Sequence, residues 1–166
     1  MPIQTSDLAR VFARDIATVK AEVLAYPDDA SLWAQPAGCP NPGGTLALHL
    51  AGNLRHFIGA LMGGSGYVRD RPAEFATRGT SRAEVATMLE AAATEVAAAL
   101  AKVPSNFLDV APPLQMPKDM VVRLPVGILH LMTHLTYHIG QIDYHRRLVT
   151  GDAKGVGAVD FTPLAG

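Results

Sequence analysis

Four long stretches with helical spacing of apolar residues, set apart by segments that carry most of the 12 prolines and 15 glycines, constrain the fold of this 166-residue chain more than any other feature. The first stretch spans about Asp7 to Ala25. Leu8, Val11, Phe12, Ile16, Val19, Val23 and Leu24 follow the three-and-four spacing of an amphipathic helix, Ser6 is placed to cap it, and Pro27 ends it. Pro27 to Gly44 reads as loop. The second helix is predicted from Thr45 to about Met62, where Gly63 and Gly64 break the pattern. Gly63 to Gly79 reads as a surface connection. The third helix opens on a capping box, Ser81 with Glu84, and runs to about Val103. Pro104 to Leu124, with Pro112, Pro113 and Pro117, reads as a long crossover holding at most short extended pieces. The fourth helix starts at Pro125, a residue suited to the first turn, and Gly151 lies just past its end. Four helices with long connections predict an all-α, four-helix bundle, and the length fits one domain over residues 1–166.

Composition excludes several classes of function. Apolar residues at 49% and charged residues at 17% suit a packed core, and a net charge of -1 from 14 basic and 15 acidic residues offers no attraction to a phosphate backbone or an anionic lipid surface. No segment reaches the ~20 apolar residues of a membrane span, and Met1 to Arg10 has no signal-peptide pattern, so the expectation is a cytoplasmic protein with no nucleic acid or membrane partner. Cys39 is the single cysteine, so a metal site here must use nitrogen and oxygen.

The six histidines carry the functional signal, because all lie on two helices: His49 and His56 on the second, His130, His134, His138 and His145 on the fourth. At 100° per residue, His130, His134, His138, Gln141 and His145 fall at roughly 0°, 40°, 80°, 20° and 60° around the axis. They form one narrow stripe. His49, Asn53 and His56 lie within roughly 60° of one another on the second helix. Imidazoles gathered in a buried cluster repel one another when protonated and become favourable when a cation takes their lone pairs. Two of them at i and i+4 can meet one ion at about 2.0 to 2.1 Å. Spacing leaves both His130/His134 and His134/His138 open as the pair. No carboxylate lies on the stripe, and Asp143 falls on another face, which leaves a general base to His56, His130 or Gln141. His145, near the helix end, suits the helix dipole as a cation. Tyr26, Trp33, Phe57 and Tyr67 read as packing residues.

The segment HLTYHIGQIDYHRR, His134 to Arg147, resembles the last-helix signature of the DinB/YfiT-like superfamily, His-x-x-x-His-x-Gly-Gln, and LALHLAGNLRHFIG, Leu46 to Gly59, is similar to that superfamily's second-helix segment. Ile139 stands where many members carry arginine. The resemblance implies His49, His134 and His138 as ligands of one divalent ion, with Gln141, His56 and His130 as candidates for the surrounding shell. Zinc or nickel suits the all-imidazole set. Three imidazoles leave positions open for water or substrate, and a divalent ion can lower the pKa of bound water from ~16 to about 7 or equally support a thiolate. The resemblance therefore implies a metal-dependent hydrolase or a thiol-dependent S-transferase using a low-molecular-weight thiol such as mycothiol or bacillithiol, on a small-molecule substrate. A non-catalytic metal- or small-molecule-binding bundle is the alternative, and a purely structural one the third. The chain lacks Glu-x-x-His, His-Glu-x-x-His, a P-loop and a dinucleotide fingerprint, which removes di-iron, zincin and nucleotide readings. A homodimer is expected, with the alanine-rich face Ala91 to Ala101 packing either a partner helix or the chain's own core.

Overall fold

The computed structural model describes residues 3–104, 114–115 and 120–165, and the described chain is mostly helical. Helix α1 spans Thr5–Ala25, α2 Asp29–Leu32, α3 Gly43–Leu54, α4 Arg71–Ala76, α5 Arg82–Lys102 and α6 Leu124–Thr150. Leu114–Gln115 (β1) pairs antiparallel with Val121–Val122 (β2), the short extended pieces expected of the crossover; Pro112, Pro113 and Pro117 lie outside the described residues. Helices α1 and α3 each pack against both α5 and α6, and α4 closes on α3. Among the described residues, no helix is long and apolar enough to cross a membrane.

Each long helix contributes one buried stripe. Phe12, Ile16, Val19 and Val23 of α1 meet Leu50 and Leu54 of α3, Val85, Leu89, Ala92 and Val96 of α5, and Ile128, Leu131, Leu135 and Ile142 of α6 in one core. Full burial of each large side chain stabilises the fold by about 1.5–3 kcal/mol. Of the alanine-rich face, Ala92 and Ala99 are buried in that core, while Ala97, Ala98 and Ala101 are exposed. Leu24 departs from its predicted place and is exposed at the last turn of α1.

The predicted starts and stops differ from the observed ones where backbone groups find other partners. The first helix begins at Thr5, not after Ser6, because Asp7 Oδ2 accepts from the Gln4 amide at 2.9 Å. The loop before the second helix contains the single turn α2, capped by Asp28. The second helix starts at Gly43, where a Cβ would overlap the Tyr26 hydroxyl, and from Arg55 to Met62 it continues with wider π-helical winding. At the end of α6, Gly151 adopts φ 70°, a left-handed cap open to glycine at no steric cost, and its amide bonds Arg147 O.

Candidate metal centre

On α6, His134 and His138 stand one residue before Leu135 and Ile139, so the apolar stripe that buries those neighbours leaves the two imidazoles half-buried at its edge. His49, buried in the middle of α3, faces them. His49 Nε2 lies 3.3 Å from His134 Nε2, and His134 Nε2 lies 3.1 Å from His138 Nε2. One nitrogen from each ring can be chosen so that all three lie within 4.8 Å of one another. Two nitrogens bound tetrahedrally to one ion at about 2.0–2.1 Å stand roughly 3.3 Å apart. The spacing matches.

The other ring nitrogens decide what these contacts are. Glu74 is buried on α4, and its Oε2 lies 3.0 Å from His49 Nδ1. Arg69 grips the same carboxylate with Nε at 2.6 Å from Oε1 and Nη2 at 2.8 Å from Oε2. Burial pushes the Glu74 carboxyl up, but hydrogen bonds from Arg69 and His49, with the charge of Arg69, outweigh it and hold Glu74 below its ordinary value. Arg69 Nη2 also lies 3.3 Å from His49 Nδ1 but donates at the shorter 2.8 Å to Glu74 Oε2, and an ionised carboxylate only accepts, so the His49 Nδ1–H donates to Glu74 and Nε2 presents a lone pair. Likewise His138 Nδ1–H donates to Gln141 Oε1 at 2.6 Å, leaving His138 Nε2 as a lone pair.

His134 sits between two acceptors. Its Nδ1 is buried without a partner among the described residues. If Nε2 carries the proton, His134 serves one neighbour and buries an unpaired Nδ1; if Nδ1 carries it, three lone pairs face one another. Protonating the ring does not resolve this, because burial, then the nearby His138 and His49, push His134 down to about 4. Burial also pushes His138 down. Neutral imidazoles whose lone pairs converge in this way form a group that could hold a cation.

The remaining candidates divide. Gln141 touches His138 directly, and His130 is exposed, with its ring stacked on His134 at 6.0 Å between centroids. His56 packs on Phe57 at 4.8 Å, and burial pushes its pKa down. Asn53 is buried, with Oδ1 unpaired among the described residues. His145 is not a cation at a helix end: its Nε2 donates to Ala34 O at 2.9 Å, its Nδ1 meets the Tyr26 hydroxyl at 2.7 Å, and burial keeps it neutral. Tyr26 and Phe57 are buried, Trp33 packs at the core's edge with Nε1 on Thr80 O at 2.8 Å, and Tyr67 lies 4.0 Å under the Arg55 guanidinium.

Glu74 and Arg69 escape the histidine arithmetic because they come from the predicted surface connection. Within that segment the six-residue helix α4 carries a buried acid, Glu74, that reaches the centre. The local signals were present, with Asp70 capping Ala73 and Pro72 in the first turn. Glu74 can approach because Gly52 lies one turn after His49: a Cβ there would overlap Glu74 Oε1.

No curated protein and no solved structure matches the chain. The family described as "Protein of unknown function (DUF1572)" matches residues 9–155, the span that contains α1's core stripe, all three clustered histidines, Arg69 and Glu74. The chain belongs to the DUF1572 family.

Proposed function

We propose that this chain is a metal-dependent enzyme built as a four-helix bundle of the DinB/YfiT-like type, in which His49, His134 and His138 hold one divalent ion, zinc or nickel. The observation that carries the reading is the convergence of three Nε2 atoms, two of which have their opposite nitrogen fixed as a donor by Glu74 and Gln141. Such outer partners set tautomer and ring orientation and raise the basicity of the ligand. When bound, the ion supplies Lewis acidity to an oxygen or sulfur arriving from the open side.

The chain's own residues do the rest. His134 and His138 are half-buried, so the centre faces solvent on the α6 side, where a small molecule can reach it. Arg69 keeps Glu74 ionised, which fits Glu74 for positioning His49 and unfits it as a proton acceptor. The exposed ring of His130, stacked on His134, is the best placed group to carry a proton between solvent and substrate. Hydrolysis and transfer of a low-molecular-weight thiol are the two reactions this arrangement serves.

The test is the metal content of purified protein, measured by plasma mass spectrometry. One equivalent is expected in the wild type and in the exposed-site control His130→Ala, and its loss is expected in His49→Ala, His134→Ala and His138→Ala. A wild type that neither carries nor takes up zinc or nickel removes the metalloenzyme reading.

A further inference from the structure

A cavity of about 410 Å3 lies beside the histidine cluster, between α6, the first turns of α3 and the 38–41 loop. Its volume falls within the range of small-molecule sites. Two of its walls are one helical turn from the proposed ligands: Leu46 precedes His49 by three residues on α3, and Gln141 follows His138 by three on α6. A molecule seated there has one end about 5 Å along the helices from the metal centre.

The lining names the chemistry. Cys39, Leu46, Tyr144 and Leu148 give it an apolar character, Asn41 adds a side-chain amide on the loop side, and among the described residues no Asp, Glu, Lys or Arg lines it. His145 is part of the wall, but both of its nitrogens are engaged, with Tyr26 and with Ala34 O. Gln141 is different. Its Oε1 is taken by His138, while its amide NH2 has no protein partner among the described residues and is free to donate. An anion entering this cavity would lose its hydration with no cation to replace it, whereas an uncharged body loses little and an acceptor finds Gln141.

We propose that this cavity seats the body of the substrate, an uncharged and largely apolar small molecule with a hydrogen-bond acceptor at the end facing Gln141. The link to turnover rests on the metal reading above; the occupancy of the cavity does not. Cys39, the chain's single cysteine, is half-buried on the wall, so its alkylation by N-ethylmaleimide reports occupancy without a competing thiol.

The probe is prodan, a neutral naphthyl ketone whose emission shifts to the blue in apolar surroundings. At about ten times Kd, prodan is expected to slow Cys39 alkylation about tenfold, the drop in free sites. Leu148→Glu, a change at an exposed rim position, is expected to weaken prodan about tenfold by placing a charge at the mouth. Gln141→Leu keeps the wall, removes the donor and is expected to weaken it about three- to tenfold. The anionic 8-anilinonaphthalene-1-sulfonate is expected to give no protection. Unchanged alkylation under saturating prodan, equal protection by the sulfonate, or full protection in Leu148→Glu would overturn the proposal. His134→Ala, in which the metal reading predicts no bound ion, is expected to keep the protection, so a failed metal assay and a failed pocket assay are separate results.

Discussion

Two polar clusters hang from α6 two turns apart, and they are wired in opposite ways. Around Arg146 and His145, donors meet acceptors: Arg146 Nε donates to Glu22 at 2.6 Å, Nη2 to Asp143 at 3.2 Å and to Lys154 O at 2.7 Å, while the Tyr26 hydroxyl donates to His145. Glu22 Oε1 is the exception, buried with no partner among the described residues. Around His134, imidazole nitrogens converge on one another, and Arg69, a cation beside His49 at 3.3 Å from its Nδ1, is engaged by the Glu74 carboxylate. A cluster that closes on itself is a structural tie between α1, α6 and the segment after α6. One that leaves lone pairs facing each other could hold a cation.

The sharpest way to break this comparison is to remove Arg146. Arg146 and Glu22 are both almost wholly buried. Burial pushes the Glu22 carboxyl up and Arg146 pulls it back only in part, so Arg146→Ala leaves an uncompensated buried acid. A loss of about 3–5 kcal/mol is expected in urea unfolding, with metal stoichiometry unchanged in the protein that remains folded. Loss of metal together with stability would mean the two clusters are one unit.

The histidine cluster should respond in the reverse sense. In the presence of free zinc or nickel at about a hundred times Kd, the wild type is expected to gain about 2.7 kcal/mol over chelator-treated protein, and His134→Ala to gain nothing. Equal gains in both proteins would place the ion elsewhere. Glu74→Gln comes next: it keeps the shape but removes the charge that holds His49 Nδ1–H, and metal affinity is expected to fall about 10- to 100-fold. Gly52→Ala acts on the same contact from behind, because its Cβ displaces the Glu74 carboxylate, and should lower affinity in the same direction. Isothermal titration with each variant checks both.

How far these features are readable from sequence depends on whether they lie within one helix. The stripe that holds His130, His134, His138 and Gln141 follows from the rotation of α6, and the choice of His134/His138 within it from the resemblance, while the core stripes of α1 and α6 follow from the same period. The facing position of His49 does not. It was reached through the resemblance of its segment to the superfamily, since no periodicity relates two helices 85 residues apart. Glu74 was missed because its role is tertiary: a six-residue helix on a connection places it, Arg69 keeps it ionised, and a glycine on another helix admits it. The change from α to π winding over Arg55–Met62 has no signal in the sequence of that segment.

The pH dependence of the metal-free protein separates the clusters through the histidines themselves. His134 has an ordinary value of 6.5 and is pushed down to about 4 by burial and by its histidine neighbours. Between those limits the unfolded chain binds a proton that the folded chain refuses, so stability falls as pH drops from about 6.5 to about 4 and levels off below. One such group contributes at most about 1.4 kcal/mol per pH unit. His138 and His145, also pushed down by burial, tilt the curve in the same direction. Substituting His134 by leucine therefore flattens the metal-free curve in that window without abolishing it. Saturating metal should steepen the wild-type curve, because protons then compete with the ion for the same lone pairs, and should leave the leucine variant's curve where it was. A wild-type curve indifferent to metal across this range would mean that the three Nε2 atoms tolerate their mutual contact unaided, and the contrast between the two clusters would fall.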